Sequence, residues 1–154
     1  MVDPQPDPEP IDPDVDLHVP AQRTELSRHP ATVLGAIAAG GVLGAEARAG
    51  LVAALPARGF PVATLLVNAT GCLLIGVLMV LVAEAGRGGR LTRPFLGVGV
   101  LGGYTTFSGY AVDAQRLLAD GRVGTAAAAL AATPALALAA VWLGARATRA
   151  AVRR

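Results

Sequence analysis

The stretch LGGYTTFSGY, Leu101 to Tyr110, sets glycines, hydroxyls and rings inside an otherwise apolar run. Phe107 and Tyr110 are three residues apart, so on a helix they share a face. Aromatic rings are negative over the face and positive at the edge. Two ring edges can therefore hold a small anion without the full positive charge that would trap it, and conduction needs such weak, repeated sites. Thr106 and Ser108 supply hydroxyl donors alongside. Gly102-Gly103 invites the helix to unwind, and Thr105-Thr106 can re-satisfy the backbone groups this frees. Irregular backbone at membrane depth is tolerated only where it is buried or lines a cavity. Unwound carbonyls at such a break make a ready cation site.

Three more polar residues lie within apolar runs. Asn68 has Thr64 and Gly71 on nearly the same helix face. Its amide can donate to an anion or bond a neighbouring helix, and the spacing leaves both readings open. Arg48 can snorkel to an interface or offer a fixed positive charge to an entering anion. Glu46 is two residues from Arg48, so the two point to different faces and a direct pair is not expected.

The elements that must carry these residues are apolar helices. Of 154 residues, 53% are hydrophobic and 16% charged. About 20 apolar residues suffice to cross a bilayer as a helix. Val62 to Ala83 is uncharged over 22 residues, Val123 to Ala145 over 23, and Pro94 to Val112 over 19. Ala31 to Leu55 is long enough but contains Glu46 and Arg48. The pattern predicts an all-α membrane protein with four transmembrane helices spanning residues 31–145, the third broken in mid-membrane. Small residues let such helices pack in lipid. Gly40 and Gly44 in the first span, Gly99 and Gly103 in the third, and Gly71 and Gly76 in the second serve this purpose.

The first thirty residues are different material. MVDPQPDPEPIDPDVDLHVP holds six prolines and six acids in its twenty positions, too many for a helix or a core. Residues 1–30 read as a disordered cytoplasmic tail without the pattern of a signal peptide, and 146–154 as a basic cytoplasmic tail. Cys72, the single cysteine, excludes an intrachain disulfide and reads as a small packing residue. His18 and His29 have no partner at ligand spacing, so no histidine-type metal site is expected. All 13 basic residues are arginine. Nine lie on the side of the termini: Arg23, Arg28, Arg87, Arg90, Arg93, Arg146, Arg149, Arg153 and Arg154. Arg58, Arg116 and Arg122 lie opposite. The asymmetry puts both termini in the cytoplasm. These arginines flank spans rather than interleave with aromatics, so nucleic acid is not an expected partner.

Three segments in order resemble a known family. GGVLGAEARAGL (Gly40 to Leu51), PVATLLVNATGCLLIG (Pro61 to Gly76) and GVLGGYTTFSGYAVD (Gly99 to Asp113) are similar to the three signatures of the CrcB/Fluc fluoride channels. The resemblance implies passive export of cytoplasmic fluoride across the plasma membrane, and no enzymatic activity. It implies a dimer of two oppositely oriented subunits, with two fluoride pores along the interface and a central structural sodium. By position, Asn68 becomes the pore amide, Phe107 and Tyr110 the aromatic pair, Thr106 and Ser108 the hydroxyls, and Arg48 the vestibule arginine. The carbonyls of Gly102 and Thr105 become sodium ligands. Tyr110 stands where the family usually has phenylalanine, Asp113 where a glutamate is common, and Ala63 where the second signature has glycine. In the fourth span Thr133 is the one interior hydroxyl, and Pro134 is placed to kink the helix.

A homodimer that inserts both ways needs little charge bias, whereas the arginine asymmetry predicts one orientation. The partner is then either a second copy or an oppositely oriented paralogue. A rival reading is a proton-coupled cation or drug exporter of the small multidrug-resistance type, which needs a membrane carboxylate, for which Glu46 is the candidate. A non-transporting membrane scaffold is a second rival, and it leaves the cluster at Thr105–Ser108 without a purpose.

Overall fold

The computed structural model describes residues 30–55 and 59–153, all helical or in connecting turns. The expected disordered tail, His18 and His29 lie outside the described residues, apart from Pro30, which opens the first helix. Helix α1 is Pro30–Ala54. Helix α2 begins as Val62–Met79 and continues through a wider π-helical turn, Val80–Glu84. Helix α3 is the π-helical Arg93–Leu101 followed by Gly102–Tyr104. Helix α4 is Phe107–Ala119 and helix α5 is Val123–Val152.

Three of these helices are long and apolar enough to cross a membrane: Ala31–Ala54, Val62–Glu84 and Val123–Val152. The fourth apolar run is carried by α3 and α4, which are separated by Thr105 and Thr106. Few large side chains are buried; Val67 is the largest that is fully so among the described residues. Leu34, Leu43, Leu74, Leu138 and Trp142 are all exposed. A soluble fold could not leave so much apolar surface in water, and this chain is a multi-pass membrane protein.

Glycines set the packing. Helix α1 lies against α3, and α2 against α5. A methyl group added at Gly40 would come within 3.0 Å of the Gly99 α-carbon, and one at Gly44 would run into the Val100 carbonyl. On the second pair, a methyl at Gly76 would strike the Val141 carbonyl, and one at Gly144 the Leu73 carbonyl. Backbones this close leave no room for any side chain, which is how helices associate when lipid offers no hydrophobic drive.

Helix α4 ends on Asp120-Gly121-Arg122. Gly121 has φ 72°, a left-handed conformation that suits glycine. The Arg122 N–H then donates to the Leu117 carbonyl at 2.8 Å and the Gly121 N–H to Leu118 at 3.0 Å. This is the Schellman closure of a helix end, and it turns the chain back so that Leu117 packs on Ala126 and Ala129.

Helix α5 does not stop at residue 145, and the segment read from sequence as a basic tail carries on as helix to Val152. Thirty residues make a helix roughly 45 Å long, more than the roughly 30 Å of a hydrocarbon core. Its far end is tied back to α2, where Arg149 meets both carboxylate oxygens of Glu84, with Nη2 to Oε1 at 2.6 Å and Nε to Oε2 at 2.8 Å. One turn earlier, the Arg146 guanidinium lies 5.3 Å from the Trp142 ring centre, a cation–π contact.

Candidate functional site

The junction between α3 and α4 gathers most of the residues singled out by chemistry. Gly102 and Gly103 do not unwind: both lie in the helix, Gly102 at φ −65° and ψ −40°. The extended residues are Thr105 (φ −77°, ψ 158°) and Thr106 (φ −149°, ψ 120°). This corrects the expectation that the glycines open the backbone, and it has a steric reason. A methyl at Gly103 would press on the Gly41 carbonyl and α-carbon, so this glycine serves close packing. The helical turn holds as far as Thr105, whose N–H and Oγ1 both donate to the Leu101 carbonyl at 2.9 Å. Beyond it, β-branched threonine accepts an extended backbone readily.

Thr106 leaves the helix because Asn68 offers it other partners. Asn68 Nδ2 donates to the Thr106 carbonyl at 2.9 Å, and the Thr106 N–H donates to Asn68 Oδ1 at 2.8 Å. One stripe of α2 serves the whole junction, at i, i+4 and i+7. Thr64 Oγ1 donates to Asp113 Oδ2 on α4 at 2.5 Å. Gly71 gives Thr105 its space, since a methyl there would collide with Thr105 Cγ2. Of the two readings left open for Asn68, interhelical bonding is realised in full. The amide still has a second N–H, because a primary amide carries two donors.

Thr106 also starts the next helix. Its Oγ1 accepts from the Gly109 N–H at 3.0 Å, an N-cap. The hydroxyl proton is left to donate, and Ser108 Oγ is 3.3 Å away. Phe107 is 81% exposed. Its ring centre is 5.6 Å from that of Tyr110 with the planes tilted by 51°, a geometry in which ring edges and faces are both presented. The Tyr110 hydroxyl donates to the Leu130 carbonyl on α5 at 2.9 Å.

Arg48 Nη1 donates to the Thr105 carbonyl at 3.2 Å, so α1 brings its guanidinium to the junction, while Glu46 stays exposed. Thr133 is buried at 7% exposure, turned into the fold. Two further partners have no signal in the sequence. Tyr104 Oη and Thr70 Oγ1 lie 2.9 Å apart, and Thr70 also reaches the Leu66 carbonyl at 2.7 Å. Tyr104 lies within Leu101–Tyr110 and Thr70 two residues from Asn68, but neither spacing points to the other. The same holds for Leu130, whose role belongs to its backbone.

Comparison with known proteins gives a consistent result. Residues 35–145 match the family described as CrcB-like protein, Camphor Resistance (CrcB). The fluoride-specific ion channel FluC 1 of Streptomyces coelicolor is 56% identical over 124 residues, covering 79% of this chain and 80% of that relative. The fluoride-specific ion channel FluC 2 of Streptomyces avermitilis is 45% identical over 131 residues, 83% of each chain. That of Thermobifida fusca is 52% identical over 118 residues, 75% of this chain and 87% of the relative. The chain belongs to the CrcB/FluC family.

Proposed function

We propose that this protein is a fluoride-selective channel that lets cytoplasmic fluoride leave passively across the plasma membrane. One observation carries the reading: an exposed aromatic ring, two hydroxyls and a spare amide donor converge where the backbone turns extended between α3 and α4. The names of the relatives supply the ion. Fluoride is small and strongly hydrated, and each donor replaces part of its water. Asn68 contributes its second N–H, Thr106 and Ser108 their hydroxyl protons, and Phe107 and Tyr110 their ring edges. None of these carries a full charge, so the ion is not held. Arg48, donating to the Thr105 carbonyl, supplies positive charge on the α1 side of the junction. Hydrogen fluoride enters as a neutral acid and dissociates inside, and the channel returns the anion.

In this reading α3 and α4 together make a third span broken in mid-membrane, for four spans and two cytoplasmic termini. Phe107, exposed in one chain, faces an oppositely oriented partner, either a second copy or a paralogue. The arginine asymmetry favours the paralogue. A structural sodium fits the donor set at the junction. The Thr106 N–H that would have closed a helical turn on the Gly102 carbonyl goes to Asn68 instead. The Thr105 carbonyl, already accepting from Arg48, retains a second lone pair. These are hard oxygen ligands, and two per chain require a second chain to complete the shell. When bound, the ion would tie the two breaks together.

Fluoride-electrode recordings on liposomes test the channel reading. Rapid fluoride release with little chloride release is expected from the protein together with its paralogue. Failure of every reconstitution to release fluoride would sink the reading, and robust release by this chain alone would sink an obligate pairing with a paralogue.

A further inference from the structure

Pro134 lies inside α5 with helix on both sides. Proline has no N–H, so the Leu130 carbonyl, one turn earlier, loses its helical donor. In water such a carbonyl would be solvated; within an apolar span it has to find another protein donor. Tyr110 Oη supplies it from α4 at 2.9 Å. The same ring is tilted by 51° on Phe107 at a centre distance of 5.6 Å. The hydroxyl thus links a defect in one helix to the orientation of an aromatic pair on another.

We propose that Tyr110 and Pro134 are a matched pair, in which the tyrosine hydroxyl caps the carbonyl exposed by the proline and so fixes the ring beside Phe107. The second half of this statement rests on the channel reading above. Tyr110 is then a positioning residue. Its hydroxyl proton is committed to Leu130, so it is not a donor to the anion. Phenylalanine at this position would do two kinds of damage in this chain. It would free the ring to rotate, and it would leave a bare carbonyl, with its partial negative charge, next to a route for an anion. With a helix-forming residue at 134, the Leu130 carbonyl regains its own donor, and phenylalanine at 110 becomes acceptable.

A double-mutant cycle over Tyr110→Phe and Pro134→Ala tests the pairing with two readouts. One is the melting temperature of the purified full chain in detergent. The other is the fluoride efflux rate per monodisperse protein in liposomes, with the paralogue included where the channel requires it. Y110F alone is expected to melt earlier and to slow efflux by roughly fivefold, the scale of coupling between residues in contact. In the P134A background the same change is expected to leave both readouts near those of P134A alone. Equal losses from Y110F in both backgrounds would overturn the proposal. Should Y110F fail to fold, a folded Y110F/P134A protein supports the pairing and an unfolded one overturns it. If wild-type vesicles release no fluoride the channel reading falls, while the melting cycle still decides the cap by itself.

Discussion

Asn68 and Thr106, 38 residues apart, hold each other through two hydrogen bonds of 2.9 and 2.8 Å, amide to backbone in both directions. The side chain imitates a strand neighbour, and it does so at the one place where the backbone between α3 and α4 is extended. Asn68→Ala leaves a backbone N–H and a carbonyl without partners, at about 1–3 kcal/mol for each group. A large fall in melting temperature is expected. Asn68→Asp keeps the acceptor but sets a carboxylate oxygen against the Thr106 carbonyl, and under the proposed function it adds negative charge beside the fluoride pathway. Fluoride efflux from N68D vesicles is expected to be lost even where folded protein is recovered.

Close backbone packing makes a separate prediction. A methyl group at Gly44 would meet the Val100 carbonyl and the Tyr104 N–H, backbone atoms that cannot move aside singly. Gly44→Ala should cost about 1–3 kcal/mol as an overpacking change. Gly35→Ala, with open space around the added methyl, should be neutral or stabilising by up to about 1 kcal/mol through helix propensity. Denaturation curves of the two variants side by side check this, and equal behaviour would remove the steric account of the α1–α3 contact.

At the far end of α5 the Glu84–Arg149 pair is exposed on both sides, so its contribution to global stability is small and screened by salt. Its effect is local. Glu84→Gln is expected to speed amide hydrogen exchange in residues 146–152 while exchange around Thr133 stays unchanged. High salt should do the same to the wild type.

Orientation can be read with thiol labelling after Cys72→Ser removes the native cysteine. A cysteine at Arg90 is expected to react only once the membrane is permeabilised, and one at Asp120 in intact cells. Mixed reactivity at both positions would mean that the chain inserts both ways, and the arginine argument for a paralogous partner would fall.

Much of this architecture is legible in the sequence alone. Apolar length marks the helices because a bilayer demands about 20 such residues whatever they pack against. Spacing marks the faces: Thr64, Asn68 and Gly71 recur at helical period, and all three meet the α3–α4 junction. The stops of the helices were less legible. α5 passes residue 145 because residues 145–152 are mostly alanine and arginine, strong helix formers, and the exposed Arg149–Glu84 pair, 65 residues apart in the chain, only tethers that end.

The unwound position is the sharpest difference between chain and fold. Gly102-Gly103 is the weaker helix former, so local propensity puts the break there. The fold puts it at Thr105-Thr106, because Gly103 is needed against α1 and because Asn68 on α2 gives Thr106 the hydrogen bonds that a helix would have supplied. Tyr110 follows the same logic. Its identity and its three-residue spacing from Phe107 are local facts, but the partner that holds its hydroxyl is a backbone carbonyl on α5. Residue types and periods determined which helices exist and which faces carry polar groups. Only packing decided which backbone groups each of those polar side chains would satisfy, since a hydrogen bond depends on distance in space and the chain specifies only distance along itself.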